Sequence, residues 1–316
     1  MKSASPAPFT RSPAATEARL VIERVESLIL GKKRQVQLAF ACLLARGHLL
    51  IEDLPGMGKT TLAQGLARAL GLTFRRIQFT SDLLPADIIG ISIYQPDSQD
   101  FRFHPGPVFT QLLLGDELNR ATPKTQGALL EAMEEHTVTS DGVTHPLPAP
   151  FFVIATQNPR HQIGTYPLPE SQLDRFLMRI DMGYPDRPAE RELLRGHDRR
   201  ELLERLTPVF DAPRLQALQK TVGEVRTTDA LLDYIQDILS ASRRSPRFQH
   251  GLSPRAGLAL LSAARAWAFL EGRDMVLPED VQAIAPHVMA HRLPPAEGRA
   301  DSATLVAELL QTVPIP

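Results

Sequence analysis

The chain has 316 residues, 43% of them hydrophobic, which suits one large domain with a smaller one beside it and supplies enough apolar side chain for a real core. Lysine plus arginine number 35 against 36 aspartate plus glutamate, and the net charge of −1 argues against a constitutive nucleic-acid binder, which usually carries a basic excess. No apolar run approaches the ~20 residues of a membrane span, and the single Cys42 rules out an internal disulfide and fits a reducing compartment.

The opening MKSASPAPFTRSPAATEA is rich in Pro, Ser and Ala and has no apolar h-region. It reads as a disordered tail over residues 1–16, not a signal peptide, so the expected location is the cytoplasm. EARLVIERVESLILG then sets Leu20, Val21, Val25, Leu28 and Ile29 on one helical face, with Gly31 as the stop. VQLAFACLLARG follows as a mostly buried helix in which Cys42 is a small apolar residue. HLLIED is a short buried strand, and the same signal returns in FRRIQFT, QLLLGDE, FFVIATQ and FLMRIDM, with helices between them. Strands alternating with helices predict an α/β fold: a parallel sheet sandwiched by helices, with its site at the carboxyl ends of the strands. Two inserts break the alternation. ISIYQPDSQDFRFHP alternates around a Pro-Asp-Ser turn, and HTVTSDGVTHPL carries Asp141-Gly142, a strong hairpin signal. From about residue 188 only helical patterns remain, which predicts a separate all-α domain of ~120 residues.

The chemistry concentrates at strand ends. LLIEDLPGMGKTTLA runs from a strand through a turn of Pro55, Gly56, Met57 and Gly58 into a helix opening at Lys59, Thr60 and Thr61. That is the setting of a phosphate-binding loop, although Asp53 stands where the general pattern has its first glycine. The glycines let backbone N–H groups approach phosphates at a helix N-terminus. Lys59 then reaches the outer phosphates, and the Thr60 hydroxyl is a magnesium ligand. A Pro-Gly turn capping an amphipathic helix is the plainer alternative, but it leaves the lysine and two threonines of the first helical turn to chance. QLLLGDELNR closes a buried strand with Asp116 and Glu117, and adjacent carboxylates there are costly without a cation. Asp116 suits the magnesium shell, and Glu117 suits orienting water or accepting its proton. Solvated charges in a loop are the alternative for this pair taken alone. FFVIATQNP ends in Thr156, Gln157 and Asn158, an amide beside Glu117, although Asn158-Pro159 also suits a turn. Arg175 in QLDRF and Arg255 in LSPRA complete the set, the latter at a helix start fixed by Ser253 and Pro254. Asp174 beside Arg175 equally invites a surface ion pair. His48, His104, His136, His145 and His161 are scattered without metal-ligand spacing, and neither a G-x-S-x-G elbow nor an N-K-x-D signature occurs.

In order, EDLPGMGKTTLA, RIQFTSDLLPADIIG, HPGPVF, DELNRATPKTQGALLEAMEE, ATQNP, QLDRF and LSPRA give the chain, from about residue 17 to 293, a close resemblance to MoxR-type AAA+ ATPases of the helix-2-insert clade. The resemblance implies an AAA+ P-loop core over 17–187 and a C-terminal helical lid over 188–316. It also implies a helix-2 insert at about 88–107 and a pre-sensor-1 hairpin at about 136–149. By resemblance Lys59 and Thr60 belong to Walker A, Asp116 and Glu117 to Walker B, and Asn158 to sensor 1. Arg175 matches the arginine finger reaching a neighbouring subunit, Arg255 matches sensor 2, and Ile29, Leu30 and Gly31 lie where the family sets backbone against adenine. Implied with them are ATP and Mg2+, magnesium-dependent ATP hydrolysis and a homo-oligomeric ring, usually a hexamer. The family also implies a partner carrying a von Willebrand factor A domain and chaperone-like remodelling, maturation or cofactor insertion of a client protein complex. The alternative is an AAA+ motor on nucleic acid, a helicase or helicase loader, whose core carries the same two hairpins; the near-neutral charge weighs against it.

Overall fold

The computed structural model describes residues 13–97, 99–158, 164–196, 199–296 and 301–316. In chain order these form α1 (Pro13–Glu26), α2 (Lys33–Leu44), β1 (His48–Glu52), α3 (Lys59–Ala69), β2 (Phe74–Gln78), α4 (Pro85–Ile89), β3 (Gly90–Gln95), β4 (Asp100–Pro105), β5 (Leu112–Asp116), α5 (Pro123–Glu135), β6 (Thr137–Ser140), β7 (Val143–Pro146), β8 (Phe152–Gln157), α6 (Glu170–Leu173) and β9 (Phe176–Ile180). Only helices follow: α7 (Arg187–Leu194), α8 (Arg199–Arg205), α9 (Ala212–Gly223), α10 (Asp229–Arg244), α11 (Pro254–Leu270), α12 (Pro278–Met289) and α13 (Ser302–Gln311), with a short 3-10 turn between the last two.

Two expectations at the amino end are corrected. Helix α1 starts at Pro13, so residues 13–16 of the expected tail are helical; residues 1–12 lie outside the described residues. The helix also stops at Glu26, well before Gly31, and it buries Val21, Ile22 and Val25 while Leu20 is exposed. Leu20 precedes Val21 by one position, about 100° around the helix, which turns it off the apolar stripe. Leu28 and Ile29 are buried from the turn that follows.

The parallel sheet has five strands in the order β2-β5-β8-β1-β9. Its central strands are apolar along their whole length because helices cover both faces, and alternate side chains serve opposite cores. Leu49, Ile51, Leu112, Leu114, Ile154 and Met178 join one cluster. Leu50, Leu113, Val153, Ala155 and Phe176 join the other, with α5. From β1 the chain crosses to β2 at the far edge and returns through β5 and β8 to β1. The carboxyl ends of β5, β8 and β1 therefore lie side by side at the switch point of the sheet.

The inserts are both antiparallel hairpins, β3–β4 and β6–β7. The second turns through Asp141 and Gly142 at φ 51° and 78°, the left-handed pair that a two-residue hairpin turn requires. The hairpins touch: the His145 ring stacks on Phe103 with centroids 4.0 Å apart. The carboxyl-terminal helices share a core with α1 and α2 through residues such as Leu218, Tyr234, Ile238 and Trp267. Gln219 Nε2 donates to the Leu43 carbonyl at 2.8 Å, and the Arg34 guanidinium lies 4.0 Å from the Trp267 ring centroid. Cys42 is fully buried beside the His48 carbonyl, and burial pushes its thiol pKa up, as for a structural, unreactive cysteine. No helix among the described residues is long and apolar enough to cross a membrane.

Candidate nucleotide site

The turn after β1 is shaped by backbone conformation. Gly56 and Gly58 have φ of +84° and +86°; a Cβ would meet nothing within 4 Å at Gly56 and only Ile29 Cγ2, at 3.7 Å, at Gly58. Glycine is required there by the left-handed angle, not by crowding. Gly58 is also the N-cap of α3 and gives it no side-chain cap. Helices α5, α9, α10 and α11 are capped by Thr122, Asp211, Thr228 and Ser253, each accepting from a first-turn N–H. The first N–H groups of α3 are thus left for an anion at the positive end of the helix. Lys59 opens that helix and is only 8% exposed. Burial lowers its pKa, opposed by the charges of Asp116, Asp53 and Glu117, and its Nζ donates to the Asp53 carbonyl at 2.7 Å.

Asp53 explains its departure from the general loop pattern. Its Oδ2 accepts from the backbone N–H groups of Met182 at 2.8 Å and Gly183 at 2.6 Å, and its Oδ1 accepts from Leu54 N–H at 2.6 Å. The carboxylate therefore ties the start of the loop to the chain leaving β9 toward the helical domain. Replacing it by the consensus glycine removes all three charge-assisted bonds and strands two N–H donors. Asp53→Gly is expected to lower stability by about 2–4 kcal/mol in urea titration; an unchanged midpoint would dismiss this tie.

The acids sit opposite the loop. Asp116 Oδ1 accepts from Thr156 Oγ1 at 2.6 Å, and its Oδ2 lies 2.6 Å from Arg76 Nη2. Glu117 adopts a left-handed φ of 58°, a conformation that costs a non-glycine residue roughly 1 kcal/mol or more. Its N–H is held by Thr156 Oγ1 at 2.9 Å. Its carboxylate accepts from Gln78 Nε2 at 2.9 Å and from Asn158 Nδ2 at 3.2 Å, and pairs with Arg120 at 2.9 Å. One cleft of about 400 Å³ is lined by Gly56, Lys59, Thr60, Asp116, Glu117 and Asn158, together with Pro55, Gly58, Thr61, Arg76 and Gln78. The structure thus brings together the loop and acid residues singled out above except Asp53, whose carboxylate turns to Met182 and Gly183, and Met57, which packs against the core. Arg76 and Gln78 were not singled out; the available signal was their period-2 spacing on one face of β2, beside the strand that carries the acids.

Arg175 and Arg255 lie elsewhere. Arg175 immediately precedes β9, at the amino edge of a parallel sheet whose carboxyl edge carries the loop. Five residues at ~3.3 Å each, about 16 Å, separate the two edges. Arg175 Nη1 donates to the Leu130 carbonyl at 2.7 Å and pairs with Glu134. Glu134 also holds Arg255, at 3.5 Å. The expected Asp174–Arg175 pair does not form: Asp174 takes the buried Arg292 at 2.6 Å and Arg255 at 3.8 Å. Both arginines line a second cleft of about 300 Å³ that shares no residue with the first. Arg255, expected as sensor 2, is thus outside the lining of the phosphate cleft.

The Ile29–Gly31 turn lies between the loop and the helical domain. Gly31 has φ +70°, and a Cβ there would come within 3.0 Å of Ala189 Cβ and 3.3 Å of Asp186 Oδ1. Ile29, Leu30 and Gly31 are all outside the lining of the phosphate cleft, with Ile29 Cγ2 3.7 Å from where a Cβ on Gly58 would stand.

Comparison with known proteins agrees with this architecture. The model of the ATPase family associated with various cellular activities (AAA) matches residues 48–178, and that of the AAA lid domain matches residues 240–311. The chain is 45% identical over 299 residues to the uncharacterized protein YeaC of Bacillus subtilis, covering 93% of each chain. It is 40% identical to Chaperone MoxR1 of Mycobacterium tuberculosis, over 95% of this chain and 82% of that one. The chain belongs to the MoxR-type AAA+ ATPases. A crystal structure of a Cytophaga hutchinsonii chain assigned as an ATPase superposes on this MoxR-type fold with a TM-score of 0.88 at 35% identity, covering 96% of both chains. The AAA match takes in β1 through most of β9, and with them the loop, both acids and Asn158.

Proposed function

We propose that the chain is a magnesium-dependent ATPase whose Lys59–Glu117 cleft binds ATP and cleaves its terminal phosphoanhydride bond. The observation that carries this reading is the convergence of Lys59, Thr60, Asp116, Glu117 and Asn158 on one cleft, at a helix N-terminus that no side chain caps. The N–H groups of the loop and of the first turn of α3 hold the β- and γ-phosphates, and Lys59 neutralises them. The donor set of a threonine hydroxyl and a carboxylate is hard oxygen, which suits Mg2+; Thr60 and Asp116 would hold the ion, and its charge would offset that developing on the phosphate oxygens. Glu117 orients the attacking water and accepts its proton, and Asn158 fixes the Glu117 carboxylate through its amide. Leu30 and Gly31 contribute backbone to the base.

Arg175 and Arg255 serve a neighbouring copy. They lie at the edge of the sheet opposite their own loop and share the Glu134 carboxylate, so a ring, a hexamer by family habit, lets one subunit complete the next one's site. The cytoplasm is the proposed location. The biological work, by likeness to the relative named Chaperone MoxR1, is chaperone-like; remodelling of a client protein complex with a von Willebrand factor A domain partner is carried over from the family resemblance alone. Relatives named MoxR1 and MoxR match over nine-tenths of the chain, and the nucleic-acid motor is not favoured.

The test is Lys59→Ala with a fluorescent ATP analogue. Loss of the charge-assisted phosphate contacts is expected to weaken binding by roughly 10–100-fold, with the thermal midpoint kept. Binding equal to that of the parent would remove the loop from the site.

A further inference from the structure

Among the described residues, strand β2 is an edge strand, paired to β5, and its polar residues are exposed. Two of them nonetheless turn toward the acids at the end of β5. Arg76 and Gln78 share one face by the two-residue period, and in register Gln78 lies opposite Asp116. Arg76 Nη2 is 2.6 Å from Asp116 Oδ2 and 3.2 Å from Gln78 Oε1. Gln78 Nε2 donates on to Glu117 Oε2 at 2.9 Å. One edge strand thus sends a cation to the metal-type acid and an amide to the water-type acid. The two partners of the ion pair differ in freedom. The Asp116 side chain is 12% exposed and is held from its other oxygen by Thr156, whereas the Arg76 side chain is 47% exposed and lines the same cleft as Lys59 and Thr60. The aspartate is the fixed partner and the arginine the movable one.

We propose that Arg76 is a positioning cation of the ATPase site: it competes with the divalent metal for Asp116 and, once displaced, turns to the nucleotide phosphates of its own subunit. The inference rests on the ATPase reading above. Charge supplies the reason. A metal ion and a guanidinium cannot both occupy Oδ2, and displacing Arg76 leaves a cation without a partner unless phosphate oxygens stand within reach. Metal and nucleotide therefore load together, each favouring the other by the same factor. A metal ion alone meets an aspartate that is already neutralised.

Two measurements on the full chain, neither of them turnover, test this. Arg76→Gln removes the competitor, so Mn2+ alone, followed by electron paramagnetic resonance, is expected to bind roughly 5-fold tighter than to the parent. The same variant has lost a phosphate partner, so a fluorescent ATP analogue in EDTA is expected to bind about 5-fold more weakly. Arg76→Lys, which keeps a charge, restores most of the second effect. Opposite shifts in the two affinities separate this role from a structural one, which would weaken both. Mn2+ binding to Arg76→Gln that is unchanged or weaker, with nucleotide binding intact in the parent, overturns the Arg76 proposal alone. Absence of nucleotide binding by the parent overturns the ATPase reading and this proposal with it.

Discussion

Glu117→Gln is expected to bind ATP with an affinity within about threefold of the parent and to lose turnover by roughly 10²–10⁴, the usual contribution of a positioned general base. The substitution keeps the shape of the side chain and its acceptor toward Asn158 Nδ2, 3.2 Å away in the parent. It removes the charge that polarises water and the site that takes its proton. The left-handed backbone at Glu117, φ 58°, is held by the Thr156 hydroxyl on its N–H, so the amide variant keeps its aim. Equilibrium binding of a fluorescent nucleotide and single-turnover release of phosphate separate the two effects. A loss of affinity as large as the loss of rate would mean that Glu117 supports binding and not the chemical step.

Arg175→Ala is expected to lower kcat by roughly 10³–10⁵, the range for a cation supplied to a phosphoryl-transfer transition state, while sparing ATP binding. The geometry makes the prediction specific. Arg175 sits before β9, about 16 Å of strand from its own loop, and contributes nothing to the lining of its own phosphate cleft. If the side chain merely anchored α5 through Leu130 and Glu134, its removal would lower stability and leave the turnover of folded protein near that of the parent. Kinetics paired with a denaturation curve discriminate between the two outcomes.

Much of the fold and most of the site follow from local sequence. HLLIED, QLLLGDE and FFVIATQ read as buried strands because helices cover both faces of the sheet; QLLLGDE ends in the acids that line the cleft, and Thr156 of FFVIATQ holds them. Asp141-Gly142 marks its hairpin because few other residues adopt two left-handed angles in succession. Lys59, Thr60, Asp116, Glu117 and Asn158 are legible because loop and acids belong to contiguous motifs. What escapes local reading depends on which strands become neighbours. Arg76 reaches Asp116 only because β2 lies beside β5, a pairing set by the crossover from β1. Asp53 looks like a defect in the loop pattern until Met182 and Gly183, far along the chain, arrive at its carboxylate. The partner of Arg175 is likewise Glu134 on α5, not the adjacent Asp174, since Asp174 is taken by the buried Arg292. Leu20 misleads for a different reason: an apolar residue one step off a helical stripe counts in composition but not in the packed face.

The central claim is that the site is completed between copies of the chain, and mixing two inactive variants tests it most directly. Lys59→Ala lacks a working loop but keeps Arg175, and Arg175→Ala lacks the arginine but keeps the loop. Each alone is expected to hydrolyse ATP far below the parent rate. Combined in rings whose mixed assembly is verified by mass, some interfaces pair an intact loop with an intact arginine. The account predicts ATP hydrolysis restored to a substantial fraction of the parent rate, highest near equal mixing; no recovery at any ratio in such mixed rings would contradict it.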